Sequence, residues 1–210
     1  MSFPKCLWLF AAVCGSASLF ADRGHAADSS DNTATNQSGF HAYVVSQPVP
    51  NLAPVPCGVA SFGTNQYSFL VPDGFRMNGS SAEQVVLVNA DFDCFITLSL
   101  ASPAPSNAKP DFCRDLLLSQ YPGAKILEEF SASAGNHTGP AFNLHWTTAR
   151  GVAQSGRFAF IPMAAGVLEF SVTTKSDKFP GVQSPFNLFL LTFRTNEGGK
   201  LEFVKISDRI

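Results

Sequence analysis

Between residues 67 and 206 apolar side chains recur in two rhythms, a period of two and a spacing of three and four. The first marks half-buried strands and the second one face of a helix. YSFLVP (67–72) is a strand closed by the turn residues Asp73-Gly74-Phe75. VVLVN (85–89) follows, and then DCFITLSL (93–100), where Cys94, Ile96, Leu98 and Leu100 alternate with Asp93, Thr97 and Ser99. Phe95 interrupts that alternation and implies cover on the strand's second face. AKILEEFSAS (124–133), FNLHWTTA (142–149), SGRFAFIP (155–162) and GVLEFSVTT (166–174) read as four more strands, the last two a hairpin. Phe142, Leu144 and Trp146 share one face of theirs.

Two stretches have the helical rhythm. In DFCRDLLLSQY (111–121) Asp111 is the expected cap, and Pro122-Gly123 the stop. Phe112, Cys113, Leu116, Leu117 and Gln120 fall on one side. In KFPGVQSPFNLFLLTFR (178–194) the face is Phe179, Val182, Phe186, Phe189, Leu190 and Phe193. Ser184-Pro185 has the form of a cap and first helical position, so this helix begins at Pro185 or is kinked there. LEFVKI (201–206) reads as a small edge strand. Short connections imply antiparallel neighbours, and amphipathic helices need a sheet to cover. The pattern predicts an α+β domain: an antiparallel sheet of about six or seven strands covered by helices.

Composition narrows this. The chain has 210 residues, 45% hydrophobic and only 14% charged, enough for one domain with a sizeable core. A formal net charge of −2 offers no basic field for nucleic acid. Phe occurs 20 times against 3 Tyr and 2 Trp, so the core gains aromatic area with few buried hydroxyls to satisfy.

The N-terminus is read as a targeting segment. Lys5 precedes the apolar CLWLFAAVCGSASLF (6–20), with Leu19-Phe20-Ala21 or Gly24-His25-Ala26 as cleavage sites. Val13 before Cys14 argues against a lipoprotein site, which needs a small residue there. The expected organisation is a signal peptide over 1–26, a disordered and Pro-rich linker over 27–56, the domain over 57–195 and a tail over 196–210. Localisation is then periplasmic or secreted, with membrane association only if the signal segment is retained. Cleavage leaves Cys57, Cys94 and Cys113 in an oxidising compartment. Any of three pairings is open; Cys94 and Cys113, both on inward faces, form one plausible disulfide, and three buried thiols are the alternative.

Chemistry is sparse along the chain. His41, His137 and His145 have no ligand-type spacing, so no metal site is expected, and no cofactor motif is present. GVASFG (58–63) does not match a nucleophile elbow. Cys113 with His145 as a thiol pair is outweighed by a structural cysteine. Glu128 and Glu129, adjacent on a strand, point to opposite faces and cannot act as a carboxylate pair. No catalytic residue is assigned. The charge-free hairpin tip Pro162, Met163, Ala164, Ala165 and Gly166 is the candidate binding surface, set against an ordinary short turn.

YSFLVPDGF, carried by Phe69, Pro72, Gly74 and Phe75, and the terminal helix with Phe186, Phe189, Leu190 and Phe193 together resemble the PsbP-like superfamily over about residues 59–195. Its members include a lumenal photosystem subunit, a Ran-binding import factor and bacterial envelope proteins. The resemblance implies an α/β/α sandwich and a non-enzymatic binding or assembly role. The Pro-rich lead-in and the tail after Thr195 depart from it. The expected function is an exported, non-catalytic domain acting through an unknown protein partner in the envelope or extracellular space. The alternatives are a small-molecule carrier or hydrolase with a Phe-lined pocket between helix and sheet, and a structural surface protein that packs into a larger layer.

Overall fold

The computed structural model describes residues 39–48, 53–81, 83–101 and 108–196, all within the unit Asn36–Ile210. The expected signal peptide, its cleavage sites, the 27–38 part of the linker and the 201–206 strand lie outside these residues.

Eleven strands and two helices are described, in the order β1 (His41–Gln47), β2 (Val55–Phe62), β3 (Asn65–Leu70), β4 (Phe75–Ser81), β5 (Gln84–Asn89), β6 (Cys94–Leu100), α1 (Pro110–Gln120), β7 (Lys125–Ala134), β8 (His137–Thr147), β9 (Ala153–Met163), β10 (Gly166–Lys175), α2 (Phe179–Thr192) and β11 (Arg194–Asn196). They build two antiparallel sheets. Seven strands run β4-β5-β6-β10-β9-β8-β7, and four run β1-β2-β3-β11. The architecture is α+β, and the large sheet has the expected strand number.

The second sheet is the difference from the sequence reading. Residues 41–47, placed in the linker, form β1 and pair along their whole length with β2. The Pro-rich spacing around them hides a strand whose side chains are largely exposed and show no apolar alternation. β2 is buried on both faces, with Gly58 against the Phe69 ring, where an added Cβ would stand 2.1 Å from a ring carbon. The small residues of this run permit close packing; they do not form a turn or an active-site elbow.

Both helices follow the predicted faces with shifted starts. Pro110 is in the first turn of α1 with Lys109 at the N-cap, and Asp111 instead pairs with Arg114 at 2.7 Å. Cys113, Leu116 and Leu117 are buried, but Phe112 and Gln120 turn outward. α2 starts at Phe179, with Pro185 inside it rather than at its start. Proline there has no N–H to give the preceding turn, yet Phe186, Phe189 and Leu190 beyond it are buried and hold the helix on course.

The large sheet has a core on each face. On one, Ile96, Leu98, Ala159, Ile161, Leu168, Phe170 and Val172 meet α2 and the small sheet's Tyr67 and Phe69. On the other, Phe142, Leu144, Phe158, Phe160 and Val167 meet Cys113, Leu116 and Leu117 of α1. α1 packs on β8, β9 and Val167 of β10 and leaves Phe95, on β6 facing the same way, 38% exposed. That is the incomplete second-face cover its break in alternation implies.

Phe193 ties three elements together. Its ring stacks on Tyr67 at 5.2 Å and meets Phe170 edge-on at 4.9 Å, with Phe69 and Phe189 at 6.4 and 6.5 Å. Replacing a buried Phe by Ala costs about 3–5 kcal/mol. Phe193→Ala is expected to fall in that range in urea unfolding, and Leu191→Ala, exposed on the same helix, to stay within about 0.5 kcal/mol.

Candidate functional site

The tip foreseen as a binding surface is a tight hairpin. Gly166 pairs with Met163, leaving Ala164 and Ala165 as the two-residue loop, and Gly166 adopts φ +127, open to glycine alone among common residues. Met163 and Ala165 pack inward against the main core, while Pro162, Ala164 and Gly166 are exposed. Leu100, at the end of β6, lies 3.5 Å from where a Gly166 Cβ would stand. Beside Leu100 is an open hollow of about 200 Å³, lined also by Phe40, Phe62, Gly63 and Glu83. Glu83 is the one charged residue of the lining and takes φ +57, a conformation that costs a non-glycine residue strain. Phe40, Phe62 and Glu83 had not been singled out from sequence, because they come from the start of β1, the end of β2 and the β4–β5 turn.

About 20 Å away, six residues back along β9 at roughly 3.3 Å each, a polar network forms beside α2. Arg157 is its hub. Its Nε donates to Asn143 Oδ1 at 2.9 Å, Nη1 to Asn187 at 3.2 Å and Nη2 to Gln183 at 3.3 Å. Asn143 Nδ2 in turn donates to Glu128 Oε2 at 2.6 Å. The guanidinium lies 4.9 Å above the Phe130 ring. Burial lowers the Arg157 pKa and Glu128 offsets part of that. With its donors engaged, this arginine fastens α2 to β7, β8 and β9. Glu129 points to the other face, as strand alternation requires, and pairs with Arg114 at 2.5 Å.

Next to this hub His145 Nδ1 lies 3.1 Å from the Ser176 hydroxyl and 3.3 Å from that of Ser155, and Ser155 donates to Ser176 at 2.9 Å. A serine–histidine contact is the beginning of a nucleophilic site, but activation needs an orienting partner on the second ring nitrogen. Among the described residues no carboxylate bonds it. Cys113 is under α1, on the opposite side of the sheet from His145, so the two do not form a pair. Among the described residues no three His, Cys, Asp or Glu side chains cluster as a metal site, and no helix is long and apolar enough to cross a membrane.

The cysteines correct a further expectation. Cys94 belongs to the core on the α2 side and Cys113 to the core on the α1 side, so the sheet separates them. Cys57, Cys94 and Cys113 are all buried free thiols. Both half-cystines of the expected pair do point inward, but inward from opposite sides. Burial pushes the three thiols up to about 11, 12 and 11, which removes their reactivity as thiolates. Alkylation of the unfolded chain without reductant is expected to modify all three; a peptide carrying Cys94 joined to Cys113 would contradict the structure. Arg157→Lys, which keeps charge but loses the planar fork, is expected to cost about 1–3 kcal/mol in urea unfolding.

No protein-family profile matches the chain, and no curated protein does. Solved structures similar to it include LpqN of Mycobacterium tuberculosis, involved in cell envelope biogenesis (13% identity, TM-score 0.44, covering 75% of this chain and 91% of that one). A cyanobacterial PsbP from Synechocystis shares 15% identity with TM-score 0.42, over 62% and 86% of the two chains. The Ran-binding protein Mog1p of Saccharomyces cerevisiae shares 15% with TM-score 0.40, over 58% and 79%. These likenesses concern the course of the chain and transfer no residue roles.

Proposed function

We propose that the chain is an exported, non-catalytic binding domain that works through a protein partner in the cell envelope, with a signal peptide over 1–26, a linker ahead of the folded region and an α/β/α-type layering of its large sheet. The observation that carries the reading is the hollow beside the hairpin tip. Its volume of about 200 Å³ is below the roughly 300–1,000 Å³ of small-molecule pockets. It suits one apolar side chain offered by another protein. Phe40, Phe62 and Leu100 supply apolar walls, Ala164 and Pro162 the exposed rim of the neighbouring tip, and Glu83 a negative edge. The matching partner segment presents an apolar side chain next to a lysine or arginine. The same volume weighs against the small-molecule carrier, and the His145 geometry against the hydrolase.

A photo-crosslinking residue at Ala164, in cells producing the full chain, tests this. A discrete adduct is expected in the envelope fraction, lost in Glu83→Lys and retained in Asp177→Lys, an exposed control charge outside the hollow. No adduct, or one that ignores Glu83→Lys, would exclude this surface. A single adduct of two copies of the chain would favour the self-packing structural protein.

A further inference from the structure

The small sheet is buried on both faces, yet the described elements pack on only one of them. Ala60, Phe62, Tyr67 and Phe69 belong to the core beside α2. Cys57, Val59 and Ser68 alternate with them along β2 and β3 and point the other way. An antiparallel sheet open to water on one side carries polar, accessible residues there. Here Cys57, Val59 and Ser68 are all but inaccessible, and Asn196 of β11, on the same face, is buried as well. Ser68 and Asn196 share a hydrogen bond at 3.3 Å, and each has a further interaction besides it. Cys57 and Val59 belong to neither hydrophobic core, and among the described residues no helix or second sheet packs on this face.

The burial is graded, and the gradient has a direction. In the cross-strand row Arg194, Ser68, Val59, Tyr43, the middle two are buried and Tyr43 of β1 is 44% exposed. In the row Asn196, Gln66, Ser61, His41, Asn196 is buried, the next two are half-buried and His41 is exposed. Cover is deepest over β11, β3 and β2 and gives out at β1. It enters from the β11 edge, which is where the chain leaves the sheet. Residues 197–210 follow Asn196 there and belong to the same compact unit. They open with Gly198-Gly199, where the backbone can reverse at little steric cost, and carry Leu201, Phe203, Val204, Ile206 and Ile210 among charged residues. Fourteen residues reach about 46 Å when extended, against about 10 Å from β11 to β2 at the usual strand spacing. A segment tethered so close binds at high effective concentration and needs little affinity of its own.

We propose that residues 197–210 return as a strap across the outer face of the small sheet and set apolar side chains, Phe203 foremost, on Cys57 and Val59. The face is then an apolar peptide-binding surface whose resident occupant is the chain's own end. It is separate from the hollow at the hairpin tip, whose Phe62 is on the opposite side of the sheet.

Cys57 is a free thiol on this face and serves as the probe. The folded full chain is labelled with N-ethylmaleimide, and mass spectrometry gives the ratio of Cys57 to Cys94, which lies in the α2-side core. Phe203→Asp, which would place a charge against the apolar face, is expected to raise that ratio about tenfold. Asp208→Asn, which removes no apolar group, is expected to leave it unchanged. An unchanged ratio in Phe203→Asp overturns the proposal, and so does protection that is lost only when residues 1–38 are deleted. If Phe203→Asp unfolds the domain as a whole, a photo-crosslinking residue at Phe203 decides the matter. An adduct within the chain to residues 55–70 is expected; an adduct confined to any other surface, or none, overturns the proposal.

Discussion

The structure depends on one meeting of aromatic rings. Phe193 is where α2 ends, and its ring touches Tyr67 of the small sheet and Phe170 of the large one. Phe189, one turn earlier, meets Phe69 at 4.8 Å and Phe170 at 5.8 Å. Edge-to-face and offset pairs of this kind add about 0.5–1.5 kcal/mol each beyond the area they bury. They help to join the two sheets in one core, since the strands pair only within each sheet. The chain's preference for Phe has its reason here: interlocked rings with few hydroxyls to satisfy.

The junction also decides where the chain goes next. Phe193 leaves the helical conformation at φ −64, ψ 134, and Arg194–Asn196 then pairs with β3. Asn196 lies buried against Ser68 at 3.3 Å, and the Thr192 hydroxyl receives the Leu70 N–H at 3.2 Å. The last helix is therefore held between the two sheets from both of its sides, by rings on one and by strand pairing at its end. Arg157 completes this along the middle of α2, where Gln183 and Asn187 accept from its two Nη groups.

What could be read beforehand was what repeats locally. The face of Phe186, Phe189, Leu190 and Phe193 follows from spacing alone, and so do the strand alternations from Cys94 to Thr174. The small sheet was missed because β1 is mostly exposed and β2 is buried on both faces, so neither strand shows the period that reveals a half-buried strand. The site residues were missed for another reason. Arg157 meets Asn143, Glu128, Gln183 and Asn187 across four elements, and the hollow joins residues 40, 62, 83 and 100. Such groupings are set by strand order, which the periodicity of a single strand does not contain. The disulfide reading failed on the same point: inward-facing is a property of a strand, but which inside it faces is a property of the sheet.

The two faces of the large sheet have been solved differently, and that difference bears on function. The α2 side is closed by rings, and the half-buried Arg157 there has oxygen partners at each arm. On the α1 side a polar row runs across the sheet, with Thr97 and Ser171 hydrogen-bonded at 2.7 Å and Ser99 opposite Glu169. Thr97, Ser99 and Glu169 are half-buried there, beside the exposed Phe95, whereas the other side is fully buried and apolar at 96, 98, 168 and 170. Thr97 and Ser171 satisfy each other, so they tolerate either a closed or a wet face.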